Sequence, residues 1–162
     1  MPNTFQLSAF MPYRLAVLSE RVSRRLSIEY GQTHGLNVAE WRVLVHLQRH
    51  GQVSVRDIHN CVNLEKPRVS RAVARLEGAG LVQKLGKQTD GRLVAISLTA
   101  SGERALGEIL PLVTEIEARL MGELSEVERK TFYSVMEKLH AALDADPKAR
   151  PRSAVELAPD QG

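Results

Sequence analysis

Between Lys66 and Leu98 the spacing of apolar residues changes from helical to extended, and that change limits the folds open to the chain. Val69, Val73 and Leu76 recur at four and three, so they share a narrow arc of a helix turning about 100° per residue. The helix should end at GAG, Gly78 to Gly80, where a C-cap belongs. Two short β-rich runs follow, LVQKL and RLVAISL, around the polar, glycine-bounded loop GKQTDG. They read as a β-hairpin with Asp90 and Gly91 near its tip.

The same helix carries Arg68, Arg71 and Arg75 in a second arc, well over a right angle from the apolar one. One side can pack while the other projects charge. Pro67 sits in the first turn, where its missing N–H costs nothing. Just upstream, Ser54 and Asp57 form a start signal for a short helix from about Val55 to Cys61. Two helices joined by a tight turn, the second one basic, describe a helix-turn-helix. The turn VNLE lacks the glycine often found there.

A B-DNA major groove about 12 Å wide admits one α-helix, and the arginine fork pairs with guanine edges or phosphate oxygens. Pro67, Arg68, Ser70, Arg71 and Arg75 are therefore candidate DNA contacts. Ser54 and Arg56, at the head of the bracing helix, are placed to hold the phosphate backbone. The hairpin adds Lys84, Lys87 and Arg92. From Glu65 to Arg92 there are seven basic and three acidic residues, an excess of four against +3 for the whole chain. The charge is concentrated where a duplex would lie.

The flanks are helical. Met11, Leu15, Leu18, Val22 and Leu26 form one stripe, and YGQTHG, Tyr30 to Gly35, closes that helix. Asn37 and Glu40 open the next, VAEWRVLVHLQRH, which should be central. It has an apolar arc of Val38, Trp41, Leu44, Val45 and Leu47 and a polar strip of Arg42, His46, Arg49 and His50. QVSV reads as a short extended piece. Thr99 restarts a helix that Pro111 should kink or loosen. Ser125 and Glu128 form a capping box for a last helix with Val127, Phe132, Val135, Met136, Leu139 and Leu143 on its apolar side. The expected fold is mainly α with a small β-wing: a winged helix-turn-helix (36–98) between N-terminal (1–35) and C-terminal (99–144) helices, with a mobile tail over 145–162. The terminal stripes have no other obvious partner within the chain.

No apolar run approaches the roughly 20 residues needed to cross a bilayer, and the N-terminus has neither a basic n-region nor a clean cleavage site. The single cysteine, Cys61, allows no intrachain disulfide. A cytoplasmic protein with no membrane partner is expected. No Gly-rich phosphate loop follows a strand, and neither G-x-S-x-G nor H-E-x-x-H occurs, so no enzyme, catalytic residue or cofactor is expected. The rival class is a winged helix whose basic face binds an acidic protein.

Three segments, LNVAEWRVLVHL, SVRDIHNCVNLEKPRVSRAVARLEGAGLV and TDGRLVAISLTASG, resemble the winged-helix MarR family, the multiple-antibiotic-resistance regulators of bacteria. The resemblance runs from about Met11 to Leu143. It implies a homodimer whose first and last two helices intertwine as a dimerisation domain. Each subunit then presents a winged helix to a palindromic double-stranded operator, with repression as the default. Half-sites of such dimers lie about 34–36 Å apart or a multiple of that. The resemblance places Pro67, Arg68, Ser70 and Arg71 in the major groove and Arg92 in the minor groove, with Asp90 steadying Arg92. Leu93 stands where the family often has a second arginine.

Many members of that family are released from DNA by small aromatic acids or phenols bound between the dimerisation helices and the winged domain. Arg42 and His46 are the candidates to meet a carboxylate there, with Trp41 as an apolar wall. Trp41 as a core anchor and Arg42 as a surface or intersubunit contact are the alternatives. Peroxide-sensing members use a cysteine in the first helix, where this chain has none. Cys61, expected to be buried, reads as a small hydrophobe. His46 and His50 stand four apart, which suits a metal, but the ligand sets of zinc-sensing relatives do not map here and no metal site is expected. A metal- or redox-responsive regulator is thus a secondary alternative.

Overall fold

The computed structural model describes residues 4–85 and 94–153. Six helices and three strands occur in the order α1 (Met11–His34), α2 (Val38–His50), β1 (Gln52–Ser54), α3 (Val55–Val62), α4 (Lys66–Gly78), β2 (Val82–Leu85), β3 (Ala95–Leu98), α5 (Ala100–Gly122) and α6 (Glu126–Asp144), after a 3-10 turn at Leu7–Ala9. β3 lies centrally in the antiparallel sheet, paired through Ile96 with Val53 of β1 and Lys84 of β2. This is the winged helix-turn-helix with flanking helices that the change of period predicts.

Local chemistry explains the boundaries. The Asn37 side chain accepts from the Glu40 amide at 2.9 Å, and Glu40 Oε2 accepts from the Asn37 amide at 2.9 Å. These reciprocal bonds satisfy two open donors at the head of α2. The Ser125 and Glu128 pair does the same for α6, and its bonds hold the Glu128 carboxyl below its ordinary pKa. Ser54 caps α3 by accepting from the Arg56 amide, rather than from Asp57 as an S-x-x-D reading implies. The glycine-free turn after α3 is made by Asn63, which is left-handed at φ 53°. Asparagine visits that region more readily than most residues with a Cβ, so it serves as a C-cap here. α1 passes through Gly31 and stops at Gly35. α5 continues through Pro111 as one helix, with the Thr114 hydroxyl donating to the Leu110 carbonyl at 2.8 Å.

One hydrophobic core joins Tyr30 of α1 to α2, α3, α4, the sheet and the first half of α5, through Leu106, Ile109 and Val113. It therefore crosses the expected boundaries at 35/36 and 98/99. Within α2 the buried apolar residues are Ala39, Val43, Leu44 and Leu47, while Trp41 and Val45 are only half-buried. His46 departs from its expected place on a polar strip and is 8% exposed.

The ends differ from this core. Met11, Leu15 and Leu18 of α1 are exposed, as are Phe132, Val135, Leu139 and Leu143 of α6, which buries no residue at all. Beyond α6 the chain turns back. The guanidinium of Arg152, 12% exposed, bonds Asp144 through Nε at 3.1 Å and Glu137 through Nη1 at 3.0 Å. These bonds favour its charged form and raise its pKa. Residues 145–153 therefore lie along α6.

The wing base and α5 meet backbone to backbone. The Thr99 amide donates to the Leu81 carbonyl at 3.1 Å, and the Thr99 hydroxyl to the Gly80 carbonyl at 2.6 Å. A Cβ on Gly102 would collide with the Leu81 carbonyl oxygen and crowd Leu98. Gly102→Ala should therefore destabilise the fold by about 1–3 kcal/mol, seen as a lower urea midpoint. Gly107→Ala, where a Cβ meets open space, should be neutral or stabilising.

Candidate nucleic-acid interface

The recognition helix, α4, is two-sided as its sequence requires. Val69, Ala72, Val73 and Leu76 are buried, with Val69 only 1% exposed, whereas Pro67, Arg68, Ser70 and Arg71 are exposed. Arg68 and Arg71 make no hydrogen bond or ion pair with another described residue, so their guanidinium groups face solvent uncommitted. α3 braces α4 through Ile58 and Val62, and Leu64 in the turn is buried beside them. Arg56 is exposed at the head of α3, and Ser54 is half-buried as its cap.

Arg75 differs from the other two arginines. Its Nη1 donates to Glu40 Oε1 at 3.3 Å, an ion pair linking α4 to the head of α2. Glu40 is 4% exposed and also accepts from the Asn37 side-chain amide at 3.2 Å. A buried carboxylate needs such partners, and one arginine of the basic arc, its side chain still 64% exposed, reaches across to it. The spacing that gave Arg75 the same direction as Arg68 and Arg71 carried no sign of this, because Glu40 lies on another helix.

On the wing, Lys84 is exposed and lies 3.6 Å from Glu77. Lys87, Asp90 and Arg92 lie outside the described residues, as does the expected hairpin tip.

The three candidate ligand residues do not share one environment. Trp41 stacks on buried Tyr30, with ring centroids 5.2 Å apart and planes 9° from parallel. Arg42 donates through Nη1 to the Val62 carbonyl at 3.2 Å, tying α2 to the end of α3. Burial raises the Tyr30 pKa, and the Arg42 charge partly offsets it. His46 packs against His50, with ring centroids 4.4 Å apart and planes tilted by 36°. Burial, and then the second imidazole, lower its pKa, so it favours the neutral ring.

Cys61 is half-buried, not fully buried as expected, with its Sγ 3.5 Å from the Asp57 carbonyl. Burial and the Asp57 charge push its thiol pKa up, which lowers its reactivity. Among the described residues, no three His, Cys, Asp or Glu side chains come together as metal ligands would. No helix among them is long and apolar enough to cross a membrane.

Comparison with known proteins links this arrangement to a family. Residues 34–93 match the model of the MarR family. Over 148 residues the chain is 26% identical to the HTH-type transcriptional repressor MdtR of Bacillus subtilis, covering 91% of this chain and 95% of MdtR. The crystal structure of a MarR/EmrR family transcriptional regulator from Acinetobacter sp. ADP1 superposes with a TM-score of 0.76 at 26% identity, over 88% of this chain and all of that one. The structure of NadR in complex with 4-hydroxyphenylacetate gives a TM-score of 0.67 at 26% identity, over 86% of this chain and 97% of NadR. Fold, basic recognition helix and sequence agree: residues 34–93 match the MarR-family model, and across most of its length the chain is similar to winged-helix transcriptional regulators of that family.

Proposed function

We propose that the protein is a homodimeric repressor that places α4 of each subunit in successive major grooves of a palindromic operator and lets go when a small aromatic acid or phenol binds. The observation that carries the DNA reading is the uncommitted pair Arg68 and Arg71 on the exposed face of a helix whose opposite face is buried. A solvated basic face alone would be unremarkable surface. Here it projects from a helix braced by α3, with a basic wing strand after it, in a chain similar to transcriptional regulators. Pro67 and Ser70 share that face, Ser54 and Arg56 flank it for phosphate contacts, and Lys84 extends it onto the wing strand, while Lys87, Asp90 and Arg92, outside the described residues, are further candidate contacts. Arg75 belongs to the same arc but contributes first to the fold.

Dimerisation is supported by the apolar side chains of α1 and α6 that are exposed among the described residues. Exposed apolar patches of this extent in a soluble chain mark an interface. The division of labour follows: 1–35 and 99–144 pair the subunits, and 36–98 reads DNA. For the effector, Trp41, Arg42 and His46 of α2 are the candidates. The Tyr30–Trp41 stack offers an apolar wall, and the Arg42 guanidinium lies near it. The 4-hydroxyphenylacetate held by NadR has the matching chemistry, an aromatic ring with a carboxylate. Binding must favour one spacing of the two recognition helices over the other, because a ligand shifts an equilibrium only by its differential affinity.

Operator affinity should fall steeply with salt, since phosphate contacts release counterions. Arg71→Ala should weaken operator binding by about 1–3 kcal/mol in a fluorescence anisotropy titration. Equal losses on operator and scrambled DNA would reduce Arg71 to a phosphate contact, and no DNA binding by the native protein would reject the reading. Leu139→Glu should shift sedimentation from dimer to monomer and abolish high-affinity operator binding, while circular dichroism keeps its helical signal. With 4-hydroxyphenylacetate as the probe, the native protein should leave the operator, and Arg42→Ala should need about tenfold more to do so. An unchanged response would remove Arg42 from the effector site.

A further inference from the structure

A cleft opens between α3 and the first turn of α4, lined by Val55, Arg56, His59, Lys66, Val69 and Ser70. Three of these side chains can carry positive charge, and a fourth offers a hydroxyl. Among the described residues, no carboxylate lines the cleft. It lies at the edge of the α4 face that carries Pro67, Arg68 and Arg71. Glu65, the N-cap of α4, makes no side-chain cap bond. Neither Arg56 nor Lys66 makes a side-chain bond to another described residue.

His59 is the unusual member. Its Nδ1 lies 2.8 Å from the Arg56 carbonyl oxygen. A carbonyl only accepts, so Nδ1 must carry the proton and donate. The neutral ring is thereby held in one tautomer, with Nε2 unprotonated and without a bond to any described residue. In that state Nε2 presents a lone pair, which a phosphate oxygen repels. A second proton turns the same atom into a cationic donor, which a phosphate oxygen attracts.

We propose that this cleft seats one backbone phosphate of the bound duplex and that His59 joins Arg56 and Lys66 in holding it only when its ring is protonated. DNA binding then takes up a proton, and affinity rises as pH falls. The sign follows from linkage: the bound phosphate favours the imidazolium, so the complex binds protons more tightly than the free protein. Among the described residues, the charged groups nearest His59 in sequence and in the cleft come from three elements. On α3 they are Arg56 and Asp57, the latter outside the cleft lining. From α4 comes Lys66, preceded by Glu65, which does not line the cleft either. From α2, Arg42 is bonded to the Val62 carbonyl. β1, Gln52–Ser54, contributes no titratable group. The proposal rests on the DNA-binding reading and adds a proton to it.

The test uses the full chain and a labelled duplex of mixed sequence at low salt, since phosphate contacts do not require an operator. Affinity is measured from about pH 6 to pH 8 for the native protein, His59→Gln and His59→Lys. Native affinity should fall about threefold to tenfold across that range. His59→Gln should lose most of this dependence and bind at pH 6 as weakly as the native protein does at pH 8. His59→Lys, cationic throughout, should bind at pH 8 nearly as tightly as the native protein does at pH 6. If His59→Gln keeps the full pH dependence, or if His59→Lys weakens with pH as the native protein does, the proposal is overturned while DNA binding stands. If the native protein binds no duplex at any pH, the DNA reading itself fails, and this inference with it.

Discussion

The carboxylate of Glu40 is the contact on which the presentation of the recognition helix depends. It is almost fully buried, and it serves two helices at once. One oxygen closes the capping box that starts α2, and the other accepts from Arg75 on α4. α2 and α4 are also the most extensively packed pair of helices in the molecule. The apolar contact between them is non-directional and would tolerate some sliding or rotation. A charged, directional bond across the same contact selects one rotation of α4, the one that leaves Arg68 and Arg71 outward. A third arginine, its own side chain largely exposed, thus reaches across to the buried acid while the other two point outward.

Apolar surface is distributed unevenly along the chain. The middle of the molecule uses its hydrophobic residues internally, from Tyr30 to Val113. The ends keep theirs exposed, with no buried residue in α6 and a bare first half of α1. α5 spans the two regimes: its first half lies in the core, and Leu120 near its end is exposed. The proposed pairing surface is thus continuous with the helix that completes the core.

Much of this was legible in the sequence, because the governing interactions are local. The start signals at Asn37, Ser54, Thr99 and Ser125 are side chains within three residues of the amides they cap, so spacing alone locates them. The two-sidedness of α4 follows from its period in the same way. Features set by contacts distant in sequence were not legible. The turn of Arg75 toward Glu40 spans 35 positions. The burial of His46 reflects how α2 is surrounded, not the period of α2. Arg152 finds Glu137 and Asp144 only because the chain reverses after α6. Asn63 was readable in principle, since asparagine after a short helix is a recognised substitute for the missing glycine. Gly102 sits within the motif that resembled the family, but its reason became visible only when the Leu81 carbonyl was seen to fill the space of its Cβ.

That close approach has a mechanical consequence. Thr99 and Gly102 fasten the head of α5 to the foot of the hairpin through main-chain atoms, leaving no side-chain cushion between them. α5 then runs 23 residues outward to the exposed helices. A tilt of α5 is therefore passed to the strand after α4 through the main chain at Leu81, with no side chain between them to absorb it.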